Sequence, residues 1–217
     1  MKLGVYLPGR LNSERCPNKL ILPIGDTCLW EIACDKLNRL PSRFNRYVLC
    51  HEPQLIEIAE QYNSIIVIKR DPETIQVDGP LSYIFKELKE LPETHLMFLN
   101  GCLSMLSLTT IEDALCKFEE ANMDYATSAT TYQNWLWNGN HESVTPIDYE
   151  RLSTKEIPIH YQAAHCFHIF NKQKFFEDGK MLTKDLNLLF VPKEELLDVD
   201  TSSDYQYVKW VHENKLQ

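Results

Sequence analysis

Short apolar runs alternate with stretches of helical spacing through the first half of the chain. Residues 3–7, 47–50, 65–68 and 95–99 are apolar runs of strand length and predict four strands. Between them, residues 28–40 carry Leu29, Ile32, Ala33, Leu37 and Leu40 at helical spacing, with Thr27 placed to cap. Pro53 can open a helix carrying Leu55, Ile56, Ala59 and Tyr62, and residues 81–91 predict another. Ile111, Ala114, Leu115 and Phe118 mark a further helix, with Thr110 as the expected cap and Glu112 and Asp113 in its first turn.

Strands that are apolar throughout are expected to be buried on both faces, and strands alternating with helices imply βαβ units. The predicted fold class is therefore α/β with a mainly parallel sheet. The rhythm breaks at residues 132–161, where Trp135, Trp137, Asn138, Gly139, Asn140 and Pro146 predict an extended arm or a pairing surface on a single domain spanning 1–217. Strand character resumes at 166–170 and 188–191, and residues 205–212 predict the last helix.

In a parallel sheet the ligand sits beyond the carboxyl ends of the strands, which directs attention to the loop after the first strand. That loop, residues 7–20, places Arg10, Arg15 and Lys19 within ten positions, with Gly9, Asn12 and Ser13 among them. Backbone N–H groups in such loops form anion-binding concavities, and Arg and Lys supply the charge a triphosphate needs. Near the other end, Asp198 and Asp200 alternate in Leu197-Asp198-Val199-Asp200-Thr201. In extended backbone they point to one side, as Mg²⁺ requires of carboxylate ligands. Thr201 or Ser202 can cap the following helix, and Asp204 falls in its first turn.

Composition narrows the picture. With 217 residues and 44% hydrophobic content, a sizeable core is available. A net charge of −9 argues against a broad nucleic-acid surface. No apolar stretch approaches the roughly 20 residues that span a bilayer, and the N-terminal run is too short for a signal peptide, so no membrane partner is expected. Seven scattered cysteines without a CxxC pair favour reduced thiols and a cytoplasmic setting. The run His165-Cys166-Phe167-His168 invites a zinc reading, but in a regular strand the two histidines face opposite sides and cannot share a metal.

The loop 7–20 resembles the opening signature of the acylneuraminate cytidylyltransferase family, P-A-R-x-x-S-x-R/G-x-P-x-K, and Asp198-Val199-Asp200-Thr201-x-x-Asp204 resembles its D-I-D-T-x-x-D. The resemblance implies a Rossmann-like, three-layer nucleotide-diphospho-sugar transferase fold, a homodimer, and transfer of CMP from CTP to a sugar acid of the nonulosonic type with release of pyrophosphate. By position it makes Arg10, Ser13 and Lys19 nucleotide contacts, with Arg10, Lys19 and Asp200 central to catalysis. Asn12 and Arg15 would join the nucleotide site, and Asp198 and Asp200 would hold Mg²⁺. Residues 70–78 resemble the family's R-P-x-x-x-x-x-D segment, bringing in Arg70 and Asp78, and Asn100 stands where the family has a polar residue after the fourth strand.

Departures fall mainly on the acceptor side. Pro8-Gly9 replaces Pro-Ala, residues 100–104 lack two prolines, and Ala164-His165-Cys166 stands for N-G-A. The arginines that hold the acceptor carboxylate in sialic-acid enzymes have no counterpart, which leaves Lys155, Gln162 and His165 as the expected acceptor contacts. A different sugar acceptor and a catalytically silent nucleotide-binding relative are the two rival readings.

Overall fold

The computed structural model describes residues 1–75 and 79–214, so the expected nucleotide contact Asp78 lies outside the described residues. Its strands are β1 (Leu3–Pro8), β2 (Pro23–Ile24), β3 (Thr27–Cys28), β4 (Asn45–Cys50), β5 (Ile66–Lys69), β6 (His95–Leu99), β7 (Tyr125–Tyr132), β8 (His160–Asn171) and β9 (Asn187–Phe190). Its helices are α1 (Leu29–Arg39), α2 (Pro53–Ala59), α3 (Pro72–Ile75), α4 (Leu81–Ile84), α5 (Leu108–Glu120), α6 (Lys172–Asp178) and α7 (Ser202–Glu213). β2 and β3 form a small hairpin, and the other strands make a seven-stranded sheet in the order β5-β4-β1-β6-β8-β7-β9. β1 pairs in parallel with β4 and β6, β4 with β5, and β7 with β9, while β8 runs antiparallel to both of its neighbours. The expected mainly parallel α/β sheet is what forms.

The chain winds outward from β1 to β4 and β5, then returns to the other side of β1 as β6. This reversal of winding next to β1 makes the carboxyl end of that strand a topological switch point. Val5, Leu7 and Val48 pack fully buried against Leu29, Trp30 and Leu37 of α1 and Leu115 and Phe118 of α5. Burying each such large apolar side chain contributes about 1.5–3 kcal/mol. On the other face Tyr6, Leu49, Phe170 and Phe175 form a second cluster.

Several local expectations are corrected. Ser107, not Thr110, caps α5, accepting from the Thr110 N–H, and no acidic residue lies in that helix's first turn. Thr27 does not cap α1; its hydroxyl donates to Glu31, and Cys28 occupies the N-cap position. The predicted helix 81–91 splits into α4 and a 3₁₀ turn at Lys86–Glu90, because Phe85 leaves helical geometry to lay its ring against Tyr6 and beneath Arg70. β5 is an edge strand with Ile66 half exposed, so its apolar run is not buried on both faces.

β7, a buried inner strand, carries Thr127, Ser128, Thr130 and Thr131 and has no apolar signature to predict it. α6 follows a capping Asn171 and ends on Gly179 in the left-handed conformation (φ 75°). Among the described residues no helix is long and apolar enough to cross a membrane, and all seven cysteines are free thiols.

Candidate active site

The loop after β1 is tied down at several points. Gly9 N–H donates to Leu49 O (2.9 Å), and the Leu11 carbonyl accepts from Ser13 N–H (2.9 Å) and Asn18 N–H (3.1 Å). Glu52, just after β4, accepts from Leu11 N–H at 2.8 Å. Gly9 is buried beneath Trp30: a Cβ there would stand 2.6 Å from the indole ring. The absence of the alanine expected in the signature thus follows from the bulk of Trp30. Arg10, Asn12 and Arg15 are exposed, and Ser13 and Lys19 are partly buried.

Asp198 and Asp200 approach this loop from the other end of the chain. Val199 is fully buried and its N–H donates to Cys102 O at 3.2 Å, so alternation turns both neighbouring carboxylates to the opposite side. Asp200 Oδ1 meets Arg15 Nη2 at 3.1 Å and Lys19 Nζ at 3.3 Å, and Lys19 also donates to Val199 O at 2.5 Å. Burial pulls the Lys19 ammonium down in pKa, but Cys102, Asp200 and Asp198 around it outweigh that and raise it. Burial raises the Asp198 carboxyl and Asp200 raises it further, while Lys19, Asn100 and His165 oppose the shift. Burial holds the Cys102 thiol at about 11, against the pull of Lys19. Asp204 is the reciprocal partner of Thr201 in a capping box at the start of α7, which agrees with the capping role read from sequence.

Among the described residues no group of three or more His, Cys, Asp and Glu side chains is arranged to hold a metal by itself. Two carboxylates nonetheless suit Mg²⁺, which is usually held by one or two of them together with substrate phosphates and water. Asp198 Oδ1 is buried with no hydrogen-bond partner, which is where such an ion fits.

Arg70 follows β5, and its N–H donates to Cys50 O. The residue is 5% exposed, and its guanidinium donates to Ile84 O (2.9 Å) and Thr74 O (3.3 Å), while its Nε has no partner. Burial lowers its pKa. It lines a cavity of about 360 Å³ together with Gly9, Arg10, Thr74, Phe85 and Phe98. A larger cavity of about 570 Å³ lies along the outer side of α1, lined by Asp26, Glu31, Asp35, Lys36 and Arg39; none of the loop 7–20, Asp198 or Asp200 lines it.

At the carboxyl end of β6, Asn100 N–H donates to Cys166 O (2.9 Å). β8 carries a bulge here: the register against β7 shifts between Thr127 and Ala129, and His165 adopts φ 52°. Ser128 fixes it by accepting from Cys166 N–H (2.8 Å) and Phe167 N–H (3.2 Å). The opposite-face geometry expected of His165 and His168 does not hold, because the bulge brings their rings to a centroid distance of 5.8 Å. His168 stacks on Phe98 and its Nδ1 lies 2.7 Å from the Thr127 hydroxyl; burial first, and His165 second, lower its pKa to about 4.

Thus the structure gathers Arg10, Arg15, Lys19, Arg70, Asn100, His165, Asp198 and Asp200 at the carboxyl edge of the sheet. It does not bring Lys155 or Gln162 there. Lys155 is exposed, and its carbonyl is held by Gln133 (3.2 Å), just past the end of β7 and five residues on from Ser128. Gln162 lines a separate cavity of about 440 Å³ with Tyr132, Leu136, His160 and Tyr161. Glu52, Cys102, Ser128 and His168 were not singled out from sequence as parts of this site; only the position of Glu52 at the end of a strand beside the switch point could have suggested one of them.

The same architecture occurs in solved structures. A CMP:2-keto-3-deoxy-manno-octonic acid synthetase complexed with CTP superposes with a TM-score of 0.69 at 13% identity, covering 100% of both chains. A 4-diphosphocytidyl-2C-methyl-D-erythritol synthase from Anaerococcus prevotii DSM 20548 gives 0.65 at 12% identity, over 98% of both chains. A cytidylyltransferase from Leptospira borgpetersenii serovar Hardjo-bovis (strain JB197) gives 0.61 at 16% identity, over 100% of this chain and 89% of that one. No curated protein matches the chain in sequence. At such identities the superpositions establish the fold, and the family rests on sequence: the cytidylyltransferase family model matches residues 5–208, from β1 to within α7. The chain belongs to the cytidylyltransferase family and is a CTP-using nucleotidyltransferase.

Proposed function

We propose that this enzyme transfers CMP from CTP to a sugar acid of the nonulosonic type, with Mg²⁺, and releases pyrophosphate. The observation that carries the reading is the meeting of the basic loop with the carboxylate pair, Arg15 and Lys19 on Asp200 at 3.1 and 3.3 Å. The acceptor hydroxyl attacks the α-phosphorus in line: its oxygen forms the new P–O bond, the bond to the β-phosphate oxygen breaks, pyrophosphate leaves, and the hydroxyl proton passes to solvent. Arg10, Arg15 and Lys19 hold the phosphates, with Asn12 and Ser13 in the same loop. Arg70 faces the base from its buried cavity. Asp198 and Asp200 hold the magnesium ion, which when bound neutralises charge on the phosphate oxygens. Direct transfer of this kind needs positioning and charge stabilisation more than covalent help.

His165, at the bulge beside Asn100 and Asp198, is the proposed acceptor contact. Lys155 and Gln162 join that site only if a second copy of the chain supplies them. The arm at 132–161 exposes Trp137, Tyr149, Leu152, Ile159 and Tyr161, a surface suited to pairing two copies. A second reading, an acceptor without a carboxylate, is favoured by one observation. The cations at the sheet edge belong to the nucleotide loop or to the buried Arg70, and His168 is held neutral.

The experiment is pyrophosphate release with CTP and Mg²⁺ across sugar acids, neutral sugars and polyol phosphates. Release with a sugar acid, with a KM raised in His165→Ala and Lys155→Ala but CTP binding unchanged, supports the proposal. Release only with an uncharged or phosphorylated acceptor moves the assignment to the second reading. No release with any acceptor leaves a silent relative.

A further inference from the structure

Asn100 is placed by sequence among the nucleotide contacts, but its carboxamide is already engaged. Oδ1 accepts from Cys102 N–H at 3.0 Å, and Nδ2 donates to His165 O at 3.1 Å and to Asp198 Oδ2 at 3.2 Å. An Asn side chain has two N–H donors, and both are spent. The residue's backbone is fixed as well, through its N–H to Cys166 O at 2.9 Å. Asp198 thereby has one oxygen held by Asn100, while the other, Oδ1, is buried with no partner.

We propose that Asn100 is a positioning residue: it clamps Asp198 Oδ2 and the bulge carbonyl of His165 together, so that Asp198 presents Oδ1 alone to the divalent cation. A carboxylate held through one oxygen by a fixed donor is pre-oriented for a ligand on the other. Losing such an outer partner typically lowers metal affinity by about 10–100-fold. The same clamp sets His165 relative to Asp198, linking the metal carboxylate to the proposed acceptor side of the site. This inference rests on the metal reading of Asp198 and Asp200.

The test is calorimetric CTP binding across a series of Mg²⁺ concentrations, for the wild type, Asn100→Ala and Asn100→Leu, with circular dichroism to show that each variant is folded. The two variants remove the donor with and without leaving a void, so one folded variant suffices. The proposal expects the Mg²⁺ midpoint to rise by about 10-fold or more, with wild-type CTP affinity regained at saturating Mg²⁺. An unshifted midpoint overturns it. So does a lowered affinity at saturating Mg²⁺ with the midpoint unchanged, which is the signature of a direct nucleotide contact. A wild type whose CTP binding ignores Mg²⁺ refutes the metal reading itself, which separates that failure from the failure of the Asn100 clamp alone.

Discussion

Lys19 Nζ lies 3.3 Å from Asp200 Oδ1 across a sequence separation of 181 residues, and only 13% of the Lys19 side chain is exposed. The contact joins the two motifs that carry the chemistry, one after the first strand and one before the last helix. The Asp200 carboxylate thereby pairs with two of the cations proposed to hold the phosphates, Arg15 at 3.1 Å and Lys19 at 3.3 Å.

Asp200→Asn keeps the shape and removes that charge. Turnover should fall by ~100-fold or more, as for other electrostatic contributors to a transition state. Stability should fall by only ~1–2 kcal/mol: the pair with Arg15 is largely solvent-exposed, and the mostly buried Lys19 loses a charged partner but keeps the Val199 carbonyl. Steady-state rates at limiting Mg²⁺ and a thermal melt measure both. Unchanged turnover would reduce Asp198 and Asp200 to residues of the turn before α7.

Gly9 is kept by Trp30. Gly9→Ala would push its Cβ to 2.6 and 2.7 Å from the far ring carbons, and Trp30 cannot recede because it is fully buried and donates to Leu55 O at 2.9 Å. Overpacking of this kind costs ~1–3 kcal/mol. Trp30→Phe removes the ring carbons in question, so Gly9→Ala should cost ~1 kcal/mol less in that background than in the wild type. Denaturant unfolding of the four proteins measures the coupling, and additive losses would show that the two residues do not compete for the same space.

His168 makes stability depend on pH. Its folded pKa of about 4 lies below the ordinary value of 6.5. Its contribution is therefore fully present above about pH 6.5 and lost as pH falls toward 4, on the order of 3 kcal/mol in all. His168→Gln, which can still bond the Thr127 hydroxyl, should be less stable than the wild type at pH 7 yet lose less on acidification to pH 4.5. Parallel Tm-versus-pH curves for the two proteins would mean that His168 is not held neutral by burial.

The legible parts of the fold are those whose apolar runs have one reading. Residues 3–7, 47–50 and 95–99 became β1, β4 and β6, the three inner strands that set the switch point. β7 was hidden because its buried polar residues satisfy themselves locally: Thr127 with His168, and Ser128 with the bulge. The bulge had no sequence signal: five steps along β8 from His168 to Ala163 match two along β7 from Thr127 to Ala129, so the alternation that would set His165 and His168 on opposite faces does not run through it. The charged ends of the site, Arg10 to Lys19 and Asp198 to Asp200, were legible because cations and carboxylates in those patterns have few structural uses. Within one copy of the chain Lys155 and Gln162 lie apart from these residues: Gln162 lines a separate cavity with Tyr132 and Tyr161, and Lys155 sits on the exposed arm. Their spacing along the chain said nothing of the arm, which ties the Lys155 carbonyl to Gln133 just past the end of β7.

Binding calorimetry with CTP, UTP, ATP and GTP, each with and without Mg²⁺, tests the assembled site most directly. A basic loop and a carboxylate pair at one sheet edge, with the buried Arg70 cavity beside them, predict the tightest binding for CTP and a clear gain in its affinity when Mg²⁺ is present. Equal, negligible heats for all four nucleotides in the presence of Mg²⁺ would contradict the account.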